Sequence, residues 1–72
     1  MKELTERHRL LGNTIRQLRV EKGLTQREFA PMAGTNQSYL WEIETGRVSV
    51  GIDVLCRIAD ALDVKVGDLI VF

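Results

Sequence analysis

The sequence predicts an all-α fold, a compact bundle of five short helices with a helix-turn-helix at its centre. Apolar residues recur at steps of three and four along most of the chain, and glycines or helix-capping residues separate these stretches. The strict alternation typical of strands does not occur before the last few positions. With 72 residues we expect one domain over residues 1–72, with a core of about residues 10–70.

The first predicted helix runs from about Thr5 to Lys22, before a glycine, Gly23, that suits its C-terminal cap. Its apolar stripe recurs at steps of three and four and consists of Leu4, His8, Leu11, Ile15 and Leu18. Gly12 lies inside this helix and costs about 1 kcal/mol relative to alanine. The glycine therefore favours an ordered helix that begins nearer Leu10.

The second predicted helix opens on a capping box, in which Thr25 caps the helix and Glu28 returns a carboxylate to the cap amide. It ends at Gly34, where the chain needs a left-handed residue. Pro31 removes an amide donor inside it, so we expect a local kink or loosening. Its buried side is expected to consist of Phe29, Ala30, Met32 and Ala33.

Three further helices are predicted downstream. The third follows Asn36, a favourable N-cap, and covers Gln37 to Thr45. The fourth spans about Gly51 to Leu62, and a short last helix or turn covers about Val66 to Ile70. The apolar side of the fourth helix is expected to contain Ile52, Leu55, Ile58, Ala59 and Leu62, with Cys56 beside it as a buried, inert thiol.

Charge and composition leave DNA binding open and argue against other classes. The net charge is zero, but residues 1–27 hold seven basic and three acidic side chains, and residues 28–72 hold three basic and seven acidic ones. No stretch approaches the roughly 18 apolar residues of a membrane span, and the N-terminus has no apolar signal region. A single cysteine fits a reducing compartment, so we expect a cytoplasmic protein.

The turn between the second and third helices carries the main functional signal. Two short helices joined by a tight, glycine-containing turn describe a helix-turn-helix unit, and here the turn is Gly34-Thr35-Asn36. The stretch LTQREFAPMAGTNQSYLWEIETGR, residues 24–47, resembles the phage-repressor-like, or Xre-type, helix-turn-helix family. This resemblance covers about residues 10–70. It implies a five-helix domain that binds double-stranded DNA, usually as a dimer and often as a repressor on a palindromic operator.

The third helix supports this interpretation independently. At about 100° per residue, Leu40 and Ile43 point inward, and the opposite side carries amide, hydroxyl, indole and carboxylate groups. Such groups suit base edges in the major groove. An exposed acid that only tolerates DNA is the alternative for Glu42, and packing onto the loop of residues 48–50 is the alternative for Trp41. The expected base contacts are Gln37, Ser38, Trp41 and Glu42.

A second set of residues is expected to contact phosphates and to fix the register on DNA. The resemblance implies that Gln26 clamps a phosphate and orients Gln37. It also implies a semi-buried ion pair between Arg19 and Glu44. The phosphate set is Gln26, Arg27, Asn36, Tyr39, Arg47 and Ser49, where a solvated charge is the alternative for Arg27 and a packed ring for Tyr39.

Other functions have weaker support. The sequence has no catalytic constellation and no metal-ligand spacing around its single histidine, so we predict no enzyme activity, no metal and no cofactor. A second hypothesis is an antitoxin-like or partner-controlled interaction module, in which the acidic second half or the apolar tail binds a protein. The expected homodimer interface is the tail itself, Leu69, Ile70, Val71 and Phe72, with core packing as the alternative.

Overall fold

Five α-helices form the part of the chain that the structure, a computed structural model, describes, which is residues 3–72. No strand occurs in that range, and the all-α prediction is therefore confirmed. None of these helices is long and apolar enough to cross a membrane. In chain order the helices are α1 (Leu4–Glu21), α2 (Gln26–Met32), α3 (Gln37–Glu44), α4 (Ile52–Leu62) and α5 (Val66–Leu69).

A single hydrophobic core lies where α3 packs between α1 and α2, with α4 and α5 closing the other side. Leu40 and Ile43, the predicted inner residues of α3, are buried as expected. Burying a side chain of this size contributes about 1.5–3 kcal/mol, so both hold the inner side of α3 against the bundle. The core contains Leu11, Ile15, Phe29, Ala30, Ala33, Leu40, Ile43, Leu55, Ile58, Ala59, Leu62 and Leu69.

The N-terminal half of α1 is helical, so the prediction that this helix begins nearer Leu10 is wrong. It begins at Leu4 and passes through Gly12 without a break. A Cβ atom built on Gly12 would lie 2.2 Å from the carbonyl oxygen of Ile43 and 2.7 Å from that of Glu44. The missing side chain lets the backbones of α1 and α3 touch, and this contact explains why the helix contains a residue of low helix propensity.

A second contact between backbones lies one helical turn earlier on α1. Gly46, just after α3, has a φ of 75°, and a Cβ atom there would lie 2.7 Å from the Cα of Arg9. No side chain fits between these two segments. The C-terminal end of α3 is therefore held against α1 at two positions.

Capping chemistry fixes both the start of α2 and the turn between α2 and α3, as the sequence predicts. The Glu28 amide donates to the Thr25 hydroxyl at 3.1 Å, and the Thr25 amide donates to the Glu28 carboxylate at 2.9 Å. Gly34 adopts a left-handed φ of 67°, and Asn36 accepts a hydrogen bond from the Tyr39 amide at 2.8 Å. Pro31 lies inside α2, which ends at Met32, one position later, so the helix does not stop at the proline.

Several single-residue expectations about burial are wrong. Leu4, Met32 and Ile52, which were expected on buried sides, are 68%, 54% and 65% exposed. Each lies at the first or last position of its helix, where the neighbouring helices no longer cover it. Cys56 is also exposed.

The apolar tail divides between the core and the surface. Leu69, expected at a dimer interface, is fully buried in the core of its own chain, where α5 packs against α1 and α4. Ile70, Val71 and Phe72 follow α5 and remain 44%, 60% and 45% exposed. The prediction of a dimer interface is therefore wrong for Leu69, whereas the three residues after it remain partly exposed.

Candidate nucleic-acid interface

The outer side of α3 lines an open surface depression of about 480 Å³. Its lining contains all four residues that the sequence assigns to base contacts. Of these, Gln37, Ser38 and Trp41 are exposed and Glu42 is half-buried. The depression is completed by one residue of α2 and one residue after α3, and its full lining is Gln26, Gln37, Ser38, Trp41, Glu42 and Arg47.

The N-terminal end of α3 presents the first two of these side chains. Asn36 ends the turn and caps the helix, so Gln37 and Ser38 occupy its first turn. Leu40 and Ile43 anchor the opposite side of the helix in the core. The first turn is therefore a polar end that projects outward from a fixed base.

A buried ion pair lies beneath this surface and joins α1 to α3. The Arg19 Nε donates to Glu44 Oε2 at 2.7 Å and the Nη2 donates to Oε1 at 3.0 Å, so the contact is bidentate. The side chains are 9% and 1% exposed. The remaining guanidinium nitrogen donates to the carbonyl oxygen of Leu24 at 2.7 Å. The ion pair that the resemblance implies is therefore present, with its polar groups hydrogen-bonded.

This ion pair also holds a residue of the depression. The side-chain amide of Gln26 donates to Glu44 Oε1 at 3.0 Å, which links the surface glutamine to the buried carboxylate. Sequence reasoning missed this contact because the two residues are 18 positions apart and no local pattern connects them. Gln26 consequently lies beside α3 in a position fixed from the core.

Trp41 makes a contact that neither sequence-based alternative anticipates. The guanidinium carbon of Arg47 lies over the Trp41 ring, 4.9 Å from its centroid, within the range of a cation–π interaction. The backbone of Arg47 is fixed as well, because its amide donates to the Glu42 carbonyl at 2.9 Å and the Gly46 amide donates to the Ile43 carbonyl at 3.1 Å. This pair of bonds is the Schellman arrangement at a helix end.

The other residues assigned to phosphates do not line the depression. Arg27 and Ser49 are exposed. Asn36 is exposed too, but its side-chain oxygen already accepts the Tyr39 amide. The Tyr39 ring is half-buried against the core. These four residues therefore lie outside the depression, whereas Arg47 lines it together with the residues expected to contact bases.

Comparison with known proteins agrees with this geometry. A helix-turn-helix family model matches residues 15–69, which include every helix from the middle of α1 to α5. The chain belongs to the Xre-type, phage-repressor-like helix-turn-helix family. Members of this family are DNA-binding transcriptional regulators, and the family is not a class of enzymes.

Individual proteins are similar to this chain over most of its length. An uncharacterized HTH-type transcriptional regulator of Sinorhizobium fredii, y4dJ, is 39% identical over 62 residues, which cover 86% of this chain and 80% of the relative. The restriction-modification controller protein C.AhdI from Aeromonas hydrophila superposes with a TM-score of 0.84 at 32% identity, covering 86% of this chain and 94% of the controller. The clp gene regulator ClgR from Corynebacterium glutamicum gives 0.86 at 33% identity, covering 97% and 86%.

Proposed function

We propose that this helix-turn-helix regulator is a sequence-specific repressor and that it acts as a cytoplasmic homodimer on a palindromic DNA operator. Residues 1–72 form its single DNA-binding domain in this proposal. The observation that carries it is the polar outer side of α3, with Gln37 and Ser38 exposed at the outward end and Leu40 buried beneath them. The major groove of B-DNA is wide enough to admit such a helix.

The arrangement of groups suggests which contacts read sequence. Gln37 presents an amide that suits the N6 and N7 positions of adenine, and Ser38 presents a hydroxyl that binds either a donor or an acceptor. Glu42 accepts a hydrogen bond from the N4 amine of cytosine in this scheme. Phosphates are contacted around this centre by Gln26, Arg27, Asn36, Tyr39 and Ser49 and fix the register without reading sequence.

Dimerisation is assigned to the exposed end of the chain. Ile70, Val71 and Phe72 are consecutive apolar residues that the core leaves partly uncovered. A two-fold axis near them joins the same surface of two chains. Half-sites in such dimers lie about 34 Å apart, one turn of DNA, which requires a palindromic operator.

Selection of bound sequences from random duplex DNA tests the proposed DNA recognition. We expect a palindromic consensus and an affinity that falls steeply with salt, because neutralised phosphates release counterions. In a reporter assay, occupancy of that sequence should lower transcription. The variant Asp60→Asn, at an exposed position of α4, is the control and should select the same consensus. Failure of the wild-type protein to retain any duplex at low salt would refute the proposal.

Sedimentation measurements test the assembly. The double variant Val71→Ser and Phe72→Ser should shift the protein toward monomer and reduce its affinity for the palindrome to that for a single half-site. Met32→Ser removes an apolar side chain of comparable exposure elsewhere and should leave the dimer intact. A monomeric wild-type protein, or a tail variant that still sediments as a dimer, would contradict this interface.

A further inference from the structure

The stacked pair of Trp41 and Arg47 is the feature of the depression that the contacts proposed above leave unexplained. Trp41 is 46% exposed, although a tryptophan on a small protein is ordinarily covered by neighbours. Its ring carries the guanidinium of Arg47 at 4.9 Å, and both side chains line the same depression as Gln37 and Ser38. The two residues therefore form one unit on the outer side of α3.

The Arg47 guanidinium is held in place and still has its hydrogen-bonding edge free. The five N–H donors of a guanidinium lie around its edge, and a cation–π contact with a ring does not use them as a hydrogen bond would. Within residues 3–72, the side chain of Arg47 has no carboxylate partner. The backbone bonds to Glu42 and Ile43 at the end of α3 fix where the side chain starts. An arginine fixed at both ends is suited to a ligand with two adjacent acceptors.

We propose that Trp41 positions Arg47 to read a guanine in the major groove, beside the bases contacted by Gln37 and Ser38. The inference rests on the proposed DNA recognition by α3. Guanine presents O6 and N7 as adjacent acceptors, and a bidentate arginine is the commonest specific contact to them. Glu42 lines the same depression and can accept a hydrogen bond from the N4 amine of the paired cytosine. A G·C pair therefore offers acceptors to Arg47 and a donor to Glu42.

A phosphate contact is the competing role for Arg47, and the geometry disfavours it. Phosphates lie along the rims of the groove, whereas base edges lie on its floor. The stack turns Arg47 back over the helix surface that carries the base-contacting side chains rather than away from it. Trp41 then acts through Arg47 as a positioning residue, and its own ring is not the reading group.

The test measures dissociation constants for the selected operator and for its single-base variants, with wild type, Arg47→Gln, Arg47→Lys, Trp41→Leu and Trp41→Phe. Arg47→Gln and Arg47→Lys should each lose a preference of about 10- to 100-fold for guanine at one position. Neither replacement has the charged, planar fork with which arginine binds guanine at two points. Replacing that guanine with 7-deazaguanine should weaken wild type and leave Arg47→Gln unaffected. Trp41→Leu should relax the same position, while Trp41→Phe, which keeps an aromatic face, should retain most of the preference.

The combined variant and the salt dependence separate positioning from a purely structural role. Trp41→Leu together with Arg47→Gln should be no weaker than Arg47→Gln alone. The salt dependence of binding should be nearly the same in all variants, and thermal melting should confirm that each is folded.

Three outcomes would overturn the inference while leaving DNA recognition intact. Arg47→Gln would weaken all duplexes alike and lower the salt slope by about 1 if the residue bound a phosphate. Trp41→Leu would relax a different base position if the indole read its own base. The inference would also be overturned if no guanine of the consensus lost its preference when Arg47 was replaced. Absence of any duplex binding by wild type would instead refute the proposed function itself.

Discussion

The inner and outer sides of α3 are held by the rest of the protein to very different degrees. The inner side, formed by Leu40, Ile43 and Glu44, is at most 6% exposed and packs against α1 and α2. On the outer side, Gln37 and Ser38 are exposed, and neither side chain has a hydrogen-bonding partner in the part of the chain described by the structure. The inner side of α3 therefore supports stability, recognition is proposed for the outer side, and substitutions should separate the two properties.

The largest effect is expected on the inner side, from Arg19→Ala. This change leaves the buried Glu44 carboxylate without its ionic partner, and breaking a buried pair in this way costs about 3–5 kcal/mol of unfolding free energy. Urea denaturation measures the loss. Arg16→Ala, at an exposed position of the same helix, is the matched control and should change the unfolding free energy by less than about 0.5 kcal/mol. Equal stability of the two variants would show that the ion pair does not hold α3.

The next largest effect is expected where α1 touches α3, from Gly12→Ala. Alanine is favoured over glycine in a helix by about 1 kcal/mol, yet the added methyl group would meet the Ile43 carbonyl oxygen. Overpacking of this kind costs about 1–3 kcal/mol, so we expect a net loss of stability in denaturant titrations. Gly67→Ala is the control, because it lies in α5 with open space around it and should be neutral or stabilising. A more stable Gly12→Ala protein would contradict the backbone contact.

On the outer side, Gln37→Ala should leave stability nearly unchanged and should weaken discrimination between operator sequences. The unfolding free energy should change by less than about 0.5 kcal/mol, since the side chain is exposed. Discrimination at one base pair of the operator should fall by about 1–3 kcal/mol, because a bidentate contact is lost. Fluorescence anisotropy with single-base operator variants measures this change, and Gln17→Ala, an exposed glutamine of α1, is the control. A general loss of affinity without loss of discrimination would place Gln37 among the phosphate contacts.

The smallest effect concerns the N-terminal cap of α2, the first helix of the helix-turn-helix unit. The Thr25 backbone amide, and then its hydroxyl, lower the pKa of Glu28 below its ordinary value of 4.5. A lowered folded pKa means that the carboxylate stabilises the fold above pH 4.5 and that this contribution disappears as the pH falls through the folded pKa. Glu28→Gln should therefore flatten the dependence of melting temperature on pH in this acidic range. The Gln37→Ala variant should keep the wild-type dependence, and an unchanged curve for Glu28→Gln would rule out the linkage.

Periodicity and capping chemistry predicted the helix-turn-helix well because both are local. Leu40 and Ile43 follow from the helical repeat alone, and the caps at Thr25 and Asn36 follow from residue types within four positions. The start of α1 was predicted wrongly for the opposite reason. The sequence shows the intrinsic cost of Gly12 but not the backbone of another helix that passes beside it.

The candidate site was predictable as a face and not as a set of contacts. The helical repeat places the expected base-contact residues on one side of α3, and they line one depression. The hydrogen bond between Gln26 and Glu44 and the stack between Trp41 and Arg47 both cross turns, so they depend on how the chain folds back. Leu69 was misplaced because an apolar tail has the same composition whether it packs inside or outside.

The two glycine contacts of α1 also bear on how the proposed recognition could change. At Gly12 main chain rests directly on main chain, and at Gly46 the neighbouring atoms are the backbone of Arg9 and the first part of its side chain. The tilt of α3 relative to the bundle therefore cannot be adjusted by small substitutions at these crossings. Under the proposed recognition by α3, we expect a new operator preference to come from exchanging the outward side chains of this helix, while its angle to the rest of the bundle stays constant.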